Sequence, residues 1–169
     1  MSKYAKISVV EAAAVQNIIS YTEHPFGRGN LTTTAGQYSA EVIIPSTQGT
    51  TDITIQNVTI DPDCDGTIKQ LYFNLVGQLK AATSTTANMT IQWQARNNGG
   101  TWVNLHSLAT KAAIGAVYVE DIYQGYVDAT TNLNRMPIDI QLKSQINEST
   151  QGFGRVSSTS YVTIQYVAD

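Results

Sequence analysis

The chain has 169 residues, of which 42% are hydrophobic and only 14% charged, with a net charge of −3. That length suits one domain with a sizeable core and argues against disorder. The charge balance gives no electrostatic basis for gripping nucleic acid, and no run approaches the ~20 apolar residues of a membrane-spanning helix. In place of charge stand 21 Thr, 12 Ser, 11 Asn and 13 Gln, a composition suited to the watered side of β-strands because Thr is β-branched.

Ser8-Val9-Val10-Glu11 has the form of a capping box, with Ile7 and Ala12 placed as its hydrophobic staple. Helical spacing puts Ala12, Val15, Ile18 and Ile19 on one side, and Pro25 disfavours helix at His24. The reading is therefore a short N-terminal helix ending near Tyr21. Its apolar face is buried either under the sheet of its own subunit or on a neighbour. Lys3 and Lys6 precede apolar residues, but Glu11, Gln16 and Asn17 interrupt the run, so no signal peptide is expected. Residues 24–38 hold three glycines, a proline and three successive threonines and read as an irregular arm. The domain organisation expected is helix and arm over 1–38 and a β-sandwich over 39–169.

Beyond the arm the period becomes two. Residues 39–44 and 51–60 read as strands. In the second, Ile53 and Ile55 share one parity while Val58 and Ile60 share the other, which predicts a bulge or break near Gln56–Asn57. Leu71, Phe73, Leu75 and Leu79 form the next alternating run, with Tyr72 and Val76 on its outer face. Met89, Ile91, Trp93 and Ala95 alternate with Thr90, Gln92, Gln94 and Arg96. At Asn97-Asn98-Gly99-Gly100 a two-residue loop would set Asn104 opposite Trp93. A three-residue loop over Asn98, Gly99 and Gly100 instead pairs Trp93 with Leu105 and Ala95 with Val103, keeping the apolar face continuous, with Gly100 as the left-handed residue. Trp102 and His106 then point to the opposite face. Two weaker strands follow over 112–119 and 122–127. Residues 137–146 alternate cleanly behind Pro137, placed where its missing N–H matters least. A polar loop over 147–158 leads to a last strand carrying Val162, Ile164 and Tyr166. Seven to nine short strands separated by turns predict an all-β fold, an antiparallel, jelly-roll-like β-sandwich.

Asp61, Asp63 and Asp65 lie in D-P-D-C-D-G, the opening of a calcium loop, but Tyr72 occupies the place of the twelfth-position Glu. An acidic turn explains the same residues, so calcium is the single ion considered and no other cofactor is expected. Cys64 is the only cysteine, which excludes an internal disulfide, and it reads as a small buried hydrophobe. His24 and His106 are too few for a histidine metal cluster. Glu120 and Asp121, adjacent on a strand, point to opposite faces and do not form a catalytic pair. No nucleophile, base and orienting group come together, so no enzymatic activity is expected. Trp102, Tyr118, Tyr123, Tyr126 and Tyr161 are candidates for a shared outer or edge surface. Such a surface would stack on sugars or anchor a protein interface, unless each ring packs against a cross-strand neighbour. The interface residues singled out are Val15, Ile18, Ile19, Trp102, Tyr123 and Tyr126.

The helical start, the NNGGTW hairpin at 97–102 and the Tyr- and Thr-rich sandwich together resemble accessory virion proteins of tailed viruses, meaning capsid cement or decoration subunits and tail or neck β-sandwich proteins. The resemblance implies a non-enzymatic role reinforcing a capsid or tail lattice. It implies homo-oligomers with protein partners, without nucleic acid or membrane, located in the virion after synthesis in the host cytoplasm. A carbohydrate-binding module and a self-polymerising filament subunit are the competing readings.

Overall fold

A computed structural model describes residues 17–26, 37–46, 53–63, 65–82, 86–114, 117–146 and 151–169. Among them run eleven strands: β1 (Ile19–Glu23), β2 (Val42–Ile44), β3 (Ile53–Ile60), β4 (Gly66–Ala81), β5 (Thr86–Asn97), β6 (Val103–Asn104), β7 (Ala109–Ile114), β8 (Val119–Asp128), β9 (Ile138–Ile146), β10 (Gly152–Val156) and β11 (Tyr161–Ala168). β1 pairs with β11, β2 with β10, β3 with β9, β4 with β8 and β5 with β7, all antiparallel. These pairs nest one inside the next, the pattern of a single long hairpin rolled into two sheets, which is a jelly roll. One sheet holds β8, β4, β11 and β1, extended by β10 and β2. The other holds β3, β9 and β5, with β6 and β7 both on the far edge of β5. The expected antiparallel β-sandwich is the observed architecture.

β4 is the spine of the six-stranded sheet. Along one side it pairs with β8 over Gln70–Leu79. Along the other it pairs first with β11 and then, from Gly77, with β10. Between the two, Ser157 N donates to Val76 O at 2.9 Å and Ser160 Oγ accepts from Val76 N at 2.9 Å. The backbone of β4 thus meets partners through the changeover, as a buried strand requires. Its inward residues Leu71, Phe73, Leu75 and Leu79 lie in one buried cluster with Ile91, Trp93, Ile140, Leu142 and Ile146 from the facing sheet. Gly77 lets the sheets approach closely here: a Cβ there would stand 2.9 Å from Leu142 Cδ2 and 3.1 Å from Ile91 Cδ1.

The phase shift in β3 is real. Its register slips between Thr54 and Gln56, a position or two before the expected break. The slip lets Ile55 and Ile60 both be buried despite their clashing parity. The hairpin after β5 pairs Ala95 with Val103, and Leu105 N donates to Trp93 O at 3.0 Å, as the three-residue loop requires. The left-handed residue, however, is Gly99 at φ 73°, not Gly100. Gly100 instead closes the turn by donating to Asn97 O at 2.8 Å.

Two expectations need correction. Ile19–Tyr21 does not end a helix; it lies in β1, whose five residues pair with Glu23↔Val162 through Ile19↔Tyr166. A lone helix of about twelve residues is marginal, whereas pairing with β11 places Ile19, Tyr21 and Thr22 in the extended pleat that β-branched and aromatic side chains favour, with Tyr21 half-buried. Residues 8–16 of that expected helix, Val15 among them, lie outside the described residues. So do Cys64 and positions 27–36 of the arm. The six-stranded sheet takes in 19–23, ahead of the expected boundary at 38. The polar stretch 147–158 is also not all loop: Gly152–Val156 forms β10, whose inward Gly152 and Gly154 give no apolar alternation to read.

Candidate functional site

The outward side chains of the six-stranded sheet form rows across its strands. Register places Asp128, Gln70, Gln165 and Ser20 in one row, Tyr126, Tyr72, Thr163 and Thr22 in the next, and Gln124, Asn74 and Tyr161 in a third. Tyr72 and Tyr126 have ring centroids 4.7 Å apart at an interplanar angle of 50°, and Tyr72 lies 5.9 Å from Tyr161. His24, from the segment after β1, stands 5.8 Å from Tyr161. A hydrogen bond with Tyr161 pushes the Tyr72 phenol up from its ordinary pKa. Tyr126 nevertheless stays 68% exposed. Gln70, Tyr72, Tyr126, Thr163 and Gln165 line a shallow hollow of about 110 Å³.

Farther along the same face, rings and cations alternate. Arg155 lies between Tyr38 at 3.9 Å and Tyr118 at 3.7 Å, and Lys80 lies between Tyr118 at 4.6 Å and Phe153 at 5.1 Å. Glu41 accepts from Lys80 at 2.5 Å and from the Tyr118 hydroxyl. Those two bonds, Lys80 first, hold its carboxyl below the usual range. Burial, and then the bond to Glu41, push the Tyr118 phenol far up. Arg155 Nε also donates to Gln78 Oε1 at 3.0 Å, and Gln78 Nε2 donates to Tyr38 Oη at 3.1 Å. The stack fastens residues 38–44 to β4, β8 and β10 and leaves its charged groups engaged. Sequence patterning missed it, because Arg155 sits in the stretch read as loop and Tyr38 in the arm.

The outer face of the five-stranded sheet carries a relay of amides. Gln94 Nε2 donates to Asn104 Oδ1 at 2.7 Å, Gln141 Nε2 donates to Gln94 Oε1 at 2.6 Å, and Thr54 Oγ1 reaches Gln141 Oε1 at 3.5 Å. At one end of the sheet, buried Asp139 accepts from Thr59 Oγ1 at 2.7 Å, Arg96 Nε at 2.8 Å and Gly99 N at 3.4 Å. Burial opposes ionisation here, but these three donors and the Arg96 charge outweigh it, so the carboxyl is held below its ordinary value.

The five aromatic candidates do not share one surface. Tyr118, Tyr126 and Tyr161 stand on the outer face of the six-stranded sheet. Tyr123 turns inward, 6.4 Å from Phe73 and 5.1 Å from His106. Trp102 stacks under Arg96 at 4.2 Å on the other sheet. His106 bends back to the sandwich edge, where its Nε2 accepts from Trp93 N at 3.0 Å. Ile18 and Ile19, at the start of β1, are 61% and 40% exposed.

Asp61, Asp63 and Asp65 lie exposed around Pro137, and Asp63 N donates to Asp61 Oδ1 at 3.2 Å. That is the geometry of an acidic turn, with Asp63 at a left-handed φ of 54°. Among the described residues, no three His, Cys, Asp or Glu side chains are grouped to hold a metal ion.

No family model matches this sequence, and no curated protein does. The fold is found in known structures. A chain from the structure of infectious bursal disease virus, Gt strain, superposes with a TM-score of 0.53 at 10% identity, over 89% of this chain and 38% of that one. A chain of the T13 particle of the same virus gives 0.51 at 12% identity, over 90% and 36%. This chain therefore spans under two-fifths of the chains it resembles, and at such identities the shared property is the fold. Both come from that virus, not from the tailed-virus accessory proteins expected from the sequence.

Proposed function

We propose that this chain is a non-enzymatic structural protein of a virus particle, a capsid cement or decoration subunit or a tail or neck component, that acts as a homo-oligomer. The observation that carries this is β1. Among the described residues it pairs with β11 on one side only and forms an edge of the six-stranded sheet, with exposed Ile18 just before it and Ile19 as its first residue. An open strand edge bearing large aliphatic side chains is a template for pairing with another chain. The jelly roll shared with chains of a virus structure supports the same reading. Low surface charge removes the repulsion that keeps monomers apart. Trp102 and Tyr123 are occupied by neighbours within the chain and contribute less to the contact.

The test is sedimentation velocity on the full chain beside an Ile18→Asp, Ile19→Asp double variant. The wild type is expected to sediment as an oligomer and the variant as a folded monomer. Identical sedimentation of the two would remove the β1 edge from the interface. Sustained turnover of a small molecule, abolished by changing one acid, would overturn the structural reading.

A further inference from the structure

The sheet rows around Tyr126 have a composition that lattice contact does not require. The row Tyr126–Tyr72–Thr163 is flanked on both sides by rows of amides: Gln70 and Gln165 with Asp128 on one side, Asn74 and Gln124 on the other. Adjacent strands lie about 4.8 Å apart, so these amides reach over a ring seated on the tyrosines. Gln70 lines the hollow, and its Nε2 donates to Asp128 Oδ1 at 3.0 Å, which leaves its carbonyl oxygen as an acceptor. Gln124 Nε2 is spent on Asn74 Oδ1 at 2.7 Å. Gln165 has no side-chain partner among the described residues.

We propose that this hollow is a binding site for one neutral sugar ring. The axial C–H face of a pyranose is apolar and stacks on an exposed aromatic face, while its vicinal hydroxyls want planar groups that donate and accept side by side. Tyr126 supplies the first, since Tyr72 covers it only partly and at a tilt. Gln70 and Gln165 supply the second, with the Thr163 hydroxyl between them. No lysine or arginine stands in the three rows, and Asp128 at the margin repels anions, so phosphorylated and acidic sugars are disfavoured. The hollow, at about 110 Å³, is far below the roughly 300–1,000 Å³ of pockets that enclose drug-sized ligands. It therefore takes a terminal ring rather than the interior of a chain, and binding is millimolar. The other half of the same face offers no such site, because its rings are already covered by Arg155 and Lys80.

The probes are the methyl glycosides of glucose, galactose, mannose and N-acetylglucosamine, with glucuronic acid as the charged control. They are titrated into the full-length protein and followed by two-dimensional NMR. At least one neutral glycoside is expected to shift the resonances of Tyr72, Tyr126 and Gln165 in a saturable way, with glucuronic acid weaker. Tyr126→Ala should weaken binding about tenfold, a change equivalent to ~1.4 kcal/mol, while Tyr126→Phe retains it. Neither variant should alter the sedimentation of the assembly, so failure here and failure of the β1 interface are separate results. No saturable shift with any neutral glycoside would overturn the proposal. So would equal binding by Tyr126→Ala, or loss of assembly in that variant, which would make the face a subunit contact.

Discussion

The outer faces of the two sheets are built from the same polar alphabet yet solve exposure differently. On the five-stranded sheet the amides satisfy one another from β6 to β3, and Asp139 ties Thr59, Arg96 and the hairpin turn together. On the six-stranded sheet aromatic rings stand in the rows, with Tyr126 and Ile122 more than half exposed. The first face is closed by its own hydrogen bonds and needs only water beyond them. The second leaves ring and aliphatic surface open, and such surface on a folded protein marks sites of contact.

Breaking the closed face should have the larger effect on stability. Asp139→Ala strands Arg96, Thr59 and the Gly99 N–H, and should cost about 2 kcal/mol in urea unfolding after allowing for the part-exposed Arg96. The folded carboxyl titrates below its unfolded value, so its contribution is complete above the unfolded pKa and is lost as pH falls through the folded one. Wild-type stability should drop from about pH 4 downward, and Asp139→Asn should flatten that acid limb. Next in size is Arg155→Ala on the open face. Removing the cation between Tyr38 and Tyr118 should cost about 1 kcal/mol and speed proteolytic cleavage within 38–46. Smallest is Ile122→Ser, 55% exposed on the same face, which should stay within about 0.5 kcal/mol of wild type. A large loss there would mean that the open face is already closed by something within the chain.

What the sequence revealed follows from where its alternation was clean. β5, β9 and β11 carry unbroken apolar parity, and their buried residues could be named in advance. The bulge in β3 and the hairpin loop were legible because only one register keeps the core side apolar. β1 and β10 were not. Ile18 and Ile19 read as a helical stripe when a strand edge was what they met, and the glycines of β10 gave no alternation to see. The sites fared similarly. Tyr126 was visible as an outward aromatic, but the rows that place Gln70 and Gln165 beside it depend on cross-strand register, which no local pattern encodes.

The most direct test of the assembly claim is native mass spectrometry of the full chain over a range of concentrations. The account expects discrete species at whole-number multiples of the 18.3 kDa protomer, with the larger ones gaining as concentration rises. A single 18.3 kDa species at every concentration would contradict it.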